Sequence, residues 1–394
     1  MKILYITLEN LSLHKGSVVH VKEIVSGLRN LGHQVGLVAS SLNKSEEADH
    51  FYNLHHVPDF LLRLFRLKRQ PYWVSSIFLF LHLLKILSQY DVIYARDFHT
   101  VIIALFPRFI FRKKLVFEMN GIANEEQKLR KHSVLNRFIS FLIQKGEKMA
   151  TRYSDRIVSV TPHIASYLMD CFNCQPNKIE IIGNGVNTKK FHPIQDKVLL
   201  MNFKKKLGIA HKDIVIIFVG NLAPWQGVES IIQVAPFLLK EMENIRFLII
   251  GDGILKDEFK KKVNALGILA HFIFTGMIDY EQIPLYINIA DVCVLPKRRL
   301  KSGYSPLKLY EYMACGKPIV SSRVEGLEFI EDEGVGRLID PGDMINFKKA
   351  LQDLLKDPKK REDMGQKGIQ KISSKKLDWE SKVISIEKIL KTLA

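Results

Sequence analysis

"KILYITLENLSLHKGSVVHVKEIVSGLRNLGHQVGLVA", Lys2 to Ala39, holds the pattern on which the fold turns. It opens on one apolar run, Lys2–Thr7, and closes on another, Gln34–Ala39. Between them "SVVHVKEIVSGLRNLGH" (Ser17–His33) repeats apolar residues at helical spacing and ends at Gly32, a helix C-cap signal. Strand, helix and strand, with both strands apolar, is what a parallel sheet covered on both faces requires. The unit recurs. "DVIYAR" (Asp91–Arg96), "KLVFEM" (Lys114–Met119) and "RIVSVT" (Arg156–Thr161) complete a first set. "DIVIIFVG" (Asp213–Gly220), "IRFLIIGDG" (Ile245–Gly253), "HFIFTG" (His271–Gly276), "VCVLP" (Val292–Pro296) and "PIVSS" (Pro318–Ser322) form a second. The predicted fold class is α/β, with two Rossmann-like doubly wound domains facing one another across a cleft.

The two sets meet at "KIEIIGNGVNTKKFHP" (Lys178–Pro193), whose Gly, Asn and Pro content marks a hinge. The expected division is 1–183 for the N-terminal domain and 184–375 for the C-terminal domain. Residues 376–394 are expected to form a terminal helix that packs back on the N-terminal domain through Trp379.

Composition excludes several classes. A chain of 394 residues is too long for one ordinary core, and 47% hydrophobic with 25% charged residues describes a folded protein. The longest near-apolar run, "VSSIFLFLHLLKIL" (Val74–Leu87), is broken by His82 and Lys85 and is shorter than the ~20 residues of a spanning helix. "MKILYITLEN" reads as a strand and not as a signal peptide, so a cytoplasmic protein is expected. Cys171 and Cys174 form a C-x-x-C with no second pair to complete a zinc site; Cys293 and Cys315 sit in apolar segments and read as core.

The charge is informative. Lys and Arg number 58 against 41 Asp and Glu, a net +17. Residues 60–156 alone carry 18 basic and 7 acidic side chains. Basic residues alternate there with aromatic ones in "FLLRLFRLKRQPYW" (Phe60–Trp73), "FPRFIFRKKL" (Phe106–Leu115) and "KLRKHSVLNRF" (Lys128–Phe138). Such a face suits an anionic membrane surface, each basic group contributing ~1 kcal/mol. A basic surface that merely faces solvent is the second reading. Nucleic acid is the third, and no recognition-helix, RNP-like or zinc-finger pattern accompanies the charge, so none is expected as partner.

Three strand-to-helix corners carry glycine where a phosphate could approach: Gly16 in "ENLSLHKGSVVH", Gly220 and Gly227 in "FVGNLAPWQGVESI", and Gly251 in "IIGDGILKDEF". None fits the dinucleotide or P-loop spacing.

In order and spacing these segments resemble the retaining nucleotide-sugar glycosyltransferases of family four, with the GT-B fold. The helix opening at Gly16, "GNGVN" (Gly183–Asn187), "FVGNLAPWQGVESIIQVA", "FLIIGDG", "FTGMIDYEQIPLYINIADVCVLP", "SPLKLYEYMACGKPIVSS", "GVGRLIDPGD" and the terminal helix all match in sequence order. The resemblance covers nearly the whole chain and implies transfer of a hexose from a nucleotide diphosphate sugar to a lipid-linked or saccharide acceptor. It makes 1–183 the acceptor side and 184–375 the donor side. It also implies a role in cell-envelope polysaccharide or glycolipid synthesis, at the inner face of the membrane.

The resemblance also implies site residues. Glu311 stands for the second glutamate of the E-x7-E element and would hold the ribose hydroxyls, since a carboxylate accepts two hydrogen bonds from neighbouring hydroxyls. Backbone N–H groups of Leu307 and Lys308 would face the diphosphate. Gly16 and Gly251 would approach the donor, and backbone near Met277 would meet the base. Three departures follow. Gly303 replaces the glutamate near the donor sugar; Asn221 and Gln226 replace the arginine and lysine of the diphosphate site; Asn120 replaces the histidine beside the reacting sugar. Lys308, helped by "KRRLK" (Lys297–Lys301), is the expected replacement cation for the leaving diphosphate. Asn120 and Glu118 are the candidate catalytic positions, with Glu125 and Glu126 as further polar partners; His20 and His99 receive no role. No metal and no cofactor is expected. A nucleotide-sugar epimerase and a catalytically weakened nucleotide-sugar-binding protein are the alternatives, the second motivated by Gly303, Asn221 and Gln226.

Overall fold

The apolar runs at either end of Lys2–Ala39 become neighbouring parallel strands, with Ile3 opposite Val35 and Tyr5 opposite Leu37. A computed structural model describes residues 1–13, 15–39, 51–53, 72–123, 125 and 134–393. The chain divides into two units, Met1–Gly183 with Trp379–Ala394, and Asn184–Asp378.

The first unit runs β1 (Lys2–Ile6), α1 (Gly16–Asn30), β2 (Gln34–Ala39), β3 (Phe51–Asn53), α2 (Tyr72–Ile86), β4 (Val92–Arg96), α3 (Phe98–Ile110), β5 (Lys114–Met119), α4 (Val134–Tyr153), β6 (Arg156–Ser159), α5 (Pro162–Phe172) and β7 (Ile179–Ile181). Its strands lie in the order β3-β2-β1-β4-β5-β6-β7. Sheet residues Leu4, Ile6, Ile93 and Phe117 pack with Val101 of α3 and Leu168 of α5 in one buried cluster. Each such side chain contributes ~1.5–3 kcal/mol by leaving water. Helix α5 shows how local sequence sets the ends. Thr161 accepts the Ile164 N–H at 3.1 Å, Pro162 opens the helix, and Asn173 closes it in the left-handed conformation.

The second unit runs α6 (Lys197–Lys206), β8 (Ile214–Val219), α7 (Val228–Leu239), β9 (Ile245–Ile250), α8 (Lys256–Ala265), β10 (Phe272–Gly276), α9 (Ile283–Asn288), β11 (Val292–Leu295), α10 (Leu307–Ala314), β12 (Ile319–Ser322), α11 (Phe329–Asp332), β13 (Gly336–Ile339), α12 (Met344–Lys356) and α13 (Pro358–Ser374). The strand order is β10-β9-β8-β11-β12-β13, again parallel. In both sheets the winding reverses beside the first strand of the unit, between β1 and β4 and between β8 and β11. Loops part there at the carboxyl ends of the strands, which is where doubly wound sheets bind ligands.

The expected break after 375 falls instead at Asp378. The Val186 N–H donates to the Leu377 carbonyl at 3.0 Å and Val186 pairs with Asp378 in an isolated bridge, which keeps 376–378 with the second unit. Helix α14 (Trp379–Lys391) then lies in the first unit. Trp379 sits edge-on to His20 of α1 at 5.2 Å, and Glu387 meets His33 at 2.8 Å.

Candidate functional site

At the winding reversal of the second unit, the loops after β8 and β9 are knitted by backbone hydrogen bonds. Gly220 donates to Ile250, Leu222 to Asp252 and Gly251 to Gly276, each at 2.9 Å. A short turn, Pro224–Gln226, leads to Gly227, which has φ 70°. A Cβ on Gly227 would lie 1.5 Å from the Pro296 carbonyl oxygen, so only glycine lets the start of α7 lie this close to the end of β11. Asn221 is exposed at this corner and Gln226 is half-buried.

Helix α10 begins after Pro306, whose side chain cannot cap the first N–H groups, those of Leu307 and Lys308. Its one acid is Glu311, which is 0% exposed. Burying a carboxylate is costly unless it is paired. Glu311 meets that demand on both oxygens: Tyr280 donates its hydroxyl to Oε1 at 3.1 Å, and Lys308 donates Nζ to Oε2 at 2.6 Å. The Lys308 ammonium also lies 5.3 Å from the centre of the Tyr280 ring. Tyr280 closes the segment after β10 that starts with Met277, which is exposed. The loop before α10 is tied to the "GNGVN" turn, where the Asn184 N–H donates to Ser305 Oγ at 2.9 Å.

Gly303 has φ 64°. A glutamate there would enter the left-handed region that non-glycine side chains avoid, which gives a local reason for the departure from the family pattern. In the "KRRLK" run the structure separates one lysine from the rest. Arg298 and Arg299 are exposed and reach Glu229 at 3.7 Å and Glu325 at 3.2 Å. Lys297 is 7% exposed, and its ammonium donates to Gln226 Oε1 and lies 5.4 Å from the centre of the Tyr304 ring. Burial pushes it down to about 8.

The first unit gathers a second cluster at its own winding reversal. Glu118, at the end of β5, is 0% exposed. Its Oε1 lies 2.7 Å from His20 Nε2, 2.6 Å from Asn120 Nδ2 and 3.4 Å from Arg96 Nε. Burial would raise this carboxyl, but the charge and hydrogen bond of His20, together with Arg96, outweigh it and hold Glu118 at about 2. Asn120 faces a cavity of about 400 Å³ whose polar lining includes Glu9, Lys15, Asp97, His99 and Glu147. Asp97 is held at φ 75° and its carboxyl is raised by burial; burial lowers His99. Lys15 leads into Gly16, the exposed first residue of α1.

Of the residues singled out in the sequence, Glu118, Asn120 and Gly16 fall in the first unit, and His20 joins Glu118. In the second, Lys308 meets Glu311 directly, Gln226 meets Lys297, and Gly251 abuts Gly220. Lys308, expected at the diphosphate, is engaged by Glu311. Sequence reading missed Tyr280, Arg96, Asp97 and Glu147. Arg96 and Asp97 were legible only as the end of a strand, and nothing in the local pattern marks the other two. Glu125 donates its N–H to the Ile122 carbonyl at 2.9 Å, while Glu126 and residues 60–71 and 128–133 lie outside the described residues. Among the described residues no group of three or more His, Cys, Asp and Glu is placed to hold a metal.

Two family models match, Glycosyltransferase Family 4 over residues 14–190 and Glycosyl transferases group 1 over 201–371. The uncharacterized glycosyltransferase MJ1607 of Methanocaldococcus jannaschii is 25% identical over 87% of this chain and 85% of its own length. The GDP-mannose-dependent alpha-(1-6)-phosphatidylinositol monomannoside mannosyltransferase of Mycolicibacterium smegmatis is 29% identical over 48% of this chain and 50% of its own. The crystal structure of Anabaena HepE in complex with UDP-glucose has a TM-score of 0.76 at 18% identity, covering 100% of both chains, a likeness of fold. With both of its units matched in family order, the chain belongs to the family 4 type of glycosyltransferases and is a hexosyltransferase on the GT-B fold.

Proposed function

We propose that the protein moves a hexose from a nucleoside diphosphate sugar to a lipid-linked or saccharide acceptor, with retained configuration, in envelope polysaccharide or glycolipid synthesis at the inner face of the membrane. The observation that carries the donor side is Glu311. A buried carboxylate, fixed on both oxygens by Tyr280 and Lys308 at the head of α10, keeps lone pairs free for two vicinal ribose hydroxyls. Relatives named for GDP-mannose or crystallised with UDP-glucose support a donor of this class.

In the reaction the anomeric carbon–oxygen bond to the diphosphate breaks and its electron pair leaves with the diphosphate. The acceptor oxygen bonds to the same carbon from the same face, and its proton passes to the departing diphosphate oxygen. The fixed residues then have positioning to do and no proton to carry. In this reading Asn120, whose amide donates to Glu118, hydrogen-bonds the reacting sugar.

Two helices of the first unit support the membrane reading. Phe106 and Phe141 are 60% and 52% exposed, with Phe109, Ile110, Phe138 and Leu142 also exposed on α3 and α4. Arg108 lies over the Phe109 ring, Lys145 over Phe141 and Arg152 over Tyr153. Phe109 and Tyr153 join the two helices edge to face at 6.4 Å. Aromatic groups interleaved with cations fit the headgroup layer of an anionic bilayer. Among the described residues no helix is long and apolar enough to cross a membrane.

A thermal-shift screen with UDP, GDP, ADP and their glucose or mannose conjugates tests the donor reading. A ligand at 100 times its Kd should stabilise by about 2.7 kcal/mol. No shift with any of them would refute it. A stereoisomer of the donor formed without acceptor would instead favour an epimerase.

A further inference from the structure

We propose that Lys297 supplies the cation for the donor's diphosphate, reaching it from the end of β11 across the winding reversal of the second sheet. This rests on the donor reading above and goes beyond it by naming the charged group and its origin in the fold.

Three observations lead there. First, place. Lys297 stands two residues past β11, after Pro296, and β11 is the neighbour of β8 on the far side of the reversal. Its ammonium donates to Gln226 at the end of the turn that follows β8, so it bridges the two loops that part at this point. The Arg298 N–H donates to the Trp225 carbonyl at 3.1 Å and fixes the loop in that position. Second, company. The groups that face the ammonium are the Gln226 amide and the Tyr304 ring, and among the described residues no carboxylate pairs with it. Elsewhere in this unit the half-buried Lys308 has its acid at 2.6 Å. Third, the neighbouring backbone. Gly227 brings the start of α7 against Pro296, so the positive end of that helix dipole and the ammonium lie on the same few residues.

A buried cation without an anion is costly to keep, and an anion arriving from outside would offset that cost. The chemistry that fits is a diphosphate, which gathers negative charge as the glycosidic bond breaks. Lys297 gives up no proton in that step. It stabilises the charge while the acceptor's proton goes to the diphosphate oxygen. Lys308 is less suited, because its charge is already neutralised by Glu311.

Calorimetric titration of UDP, GDP and ADP, and of uridine, guanosine and adenosine, into the wild-type protein and Lys297→Met tests this. Met keeps the length of the stem and removes the charge. For whichever diphosphate the wild type binds, the variant should lose affinity by roughly tenfold to a hundredfold, while the nucleoside binds both proteins alike. Undiminished diphosphate binding by the variant overturns the assignment of Lys297 and leaves the donor reading standing. Equal weakening of diphosphate and nucleoside shows a role in loop shape alone and overturns it as well. A wild type that binds none of the three diphosphates refutes the donor reading and this inference with it. If Lys297→Met does not fold, Lys297→Gln carries the same comparison.

Discussion

Two buried charges, one in each unit, are handled in opposite ways. Glu118 closes β5 with no exposed surface and is met by His20, Arg96 and Asn120. Lys297, two residues past β11, is almost as deeply buried and is met by an amide and an aromatic ring. Both lie toward the carboxyl edge of a parallel sheet, Glu118 on β5, one strand beyond the reversal, and Lys297 two residues past β11, which flanks it. A charge paired inside the protein orients its neighbours, and Glu118 thereby fixes Asn120 at the edge of the cavity. A charge left unpaired is a demand on a ligand. Glu311 lies between the two cases, since its partners Lys308 and Tyr280 orient it without using all of its acceptor capacity.

The contrast predicts opposite signs on mutation. Glu118→Ala strands the Arg96 cation and the His20 ring in the interior and should cost about 3–5 kcal/mol, read as a large fall in the unfolding temperature of the first unit. Equal stability of the variant and the wild type would break the comparison at its root. Acid should act on the same group. The folded Glu118 carboxyl titrates at about 2 against its ordinary 4.5. Its contribution is therefore fully present above pH 4.5 and is lost as pH falls toward about 2, amounting to about 3 kcal/mol. Urea unfolding at a series of pH values should show this loss, reduced in a His20→Gln variant.

Glu311→Gln, which keeps the shape and removes the charge, should weaken nucleoside diphosphate binding by about 1.5–3 kcal/mol in calorimetry. It also frees Lys308. If Glu311 only anchors Lys308, affinity will stay unchanged or rise.

For Lys297 the sign reverses. Its folded ammonium titrates at about 8 against 10.5, so the cost of burying the charge is present in full below pH 8. That cost disappears as pH rises from about 8 to 10.5. Lys297→Met should accordingly leave the apo protein as stable as the wild type, or more stable by about 1–3 kcal/mol at pH 7, measured by thermal unfolding. Destabilisation there would mean that the Gln226 amide and the Tyr304 ring already offset the buried charge.

The smallest effect on stability is expected at the surface. Phe141→Ser should change unfolding by no more than about 0.5 kcal/mol, yet lower the partition of the protein onto vesicles containing phosphatidylserine. Partition independent of Phe141 would argue against a membrane face on α4.

The strands were legible because an alternation of apolar runs and amphipathic segments has few other solutions. Ile3, Val35 and Val92 could be placed in a parallel sheet from sequence alone, since strands covered on both faces must be apolar throughout. Glu311 was legible as an acid inside an otherwise buried helix. What surrounds it was not. Tyr280 lies 31 positions away in sequence, and its hydroxyl meets Glu311 only because the segment after β10 is brought against α10 in the fold. Lys297 shows the same limit more sharply. It stood in a run of basic residues that read alike, and Lys308 was the favoured cation on grounds of its place in the motif.

Fold class, the order of the elements and the identity of the one acid in α10 were decided by the sequence, because periodicity and residue chemistry are local properties of the chain. Which of five neighbouring positions, Lys297 to Lys301, buries its charge was decided only by the tertiary structure. So was the contrast between an acid met by charged and polar partners and a cation that, among the described residues, meets an amide and a ring and no carboxylate. The physical reason is that the cost of a charge depends on the dielectric and the partners around it. Both are contributed by segments far away in sequence, brought together where the two loops part.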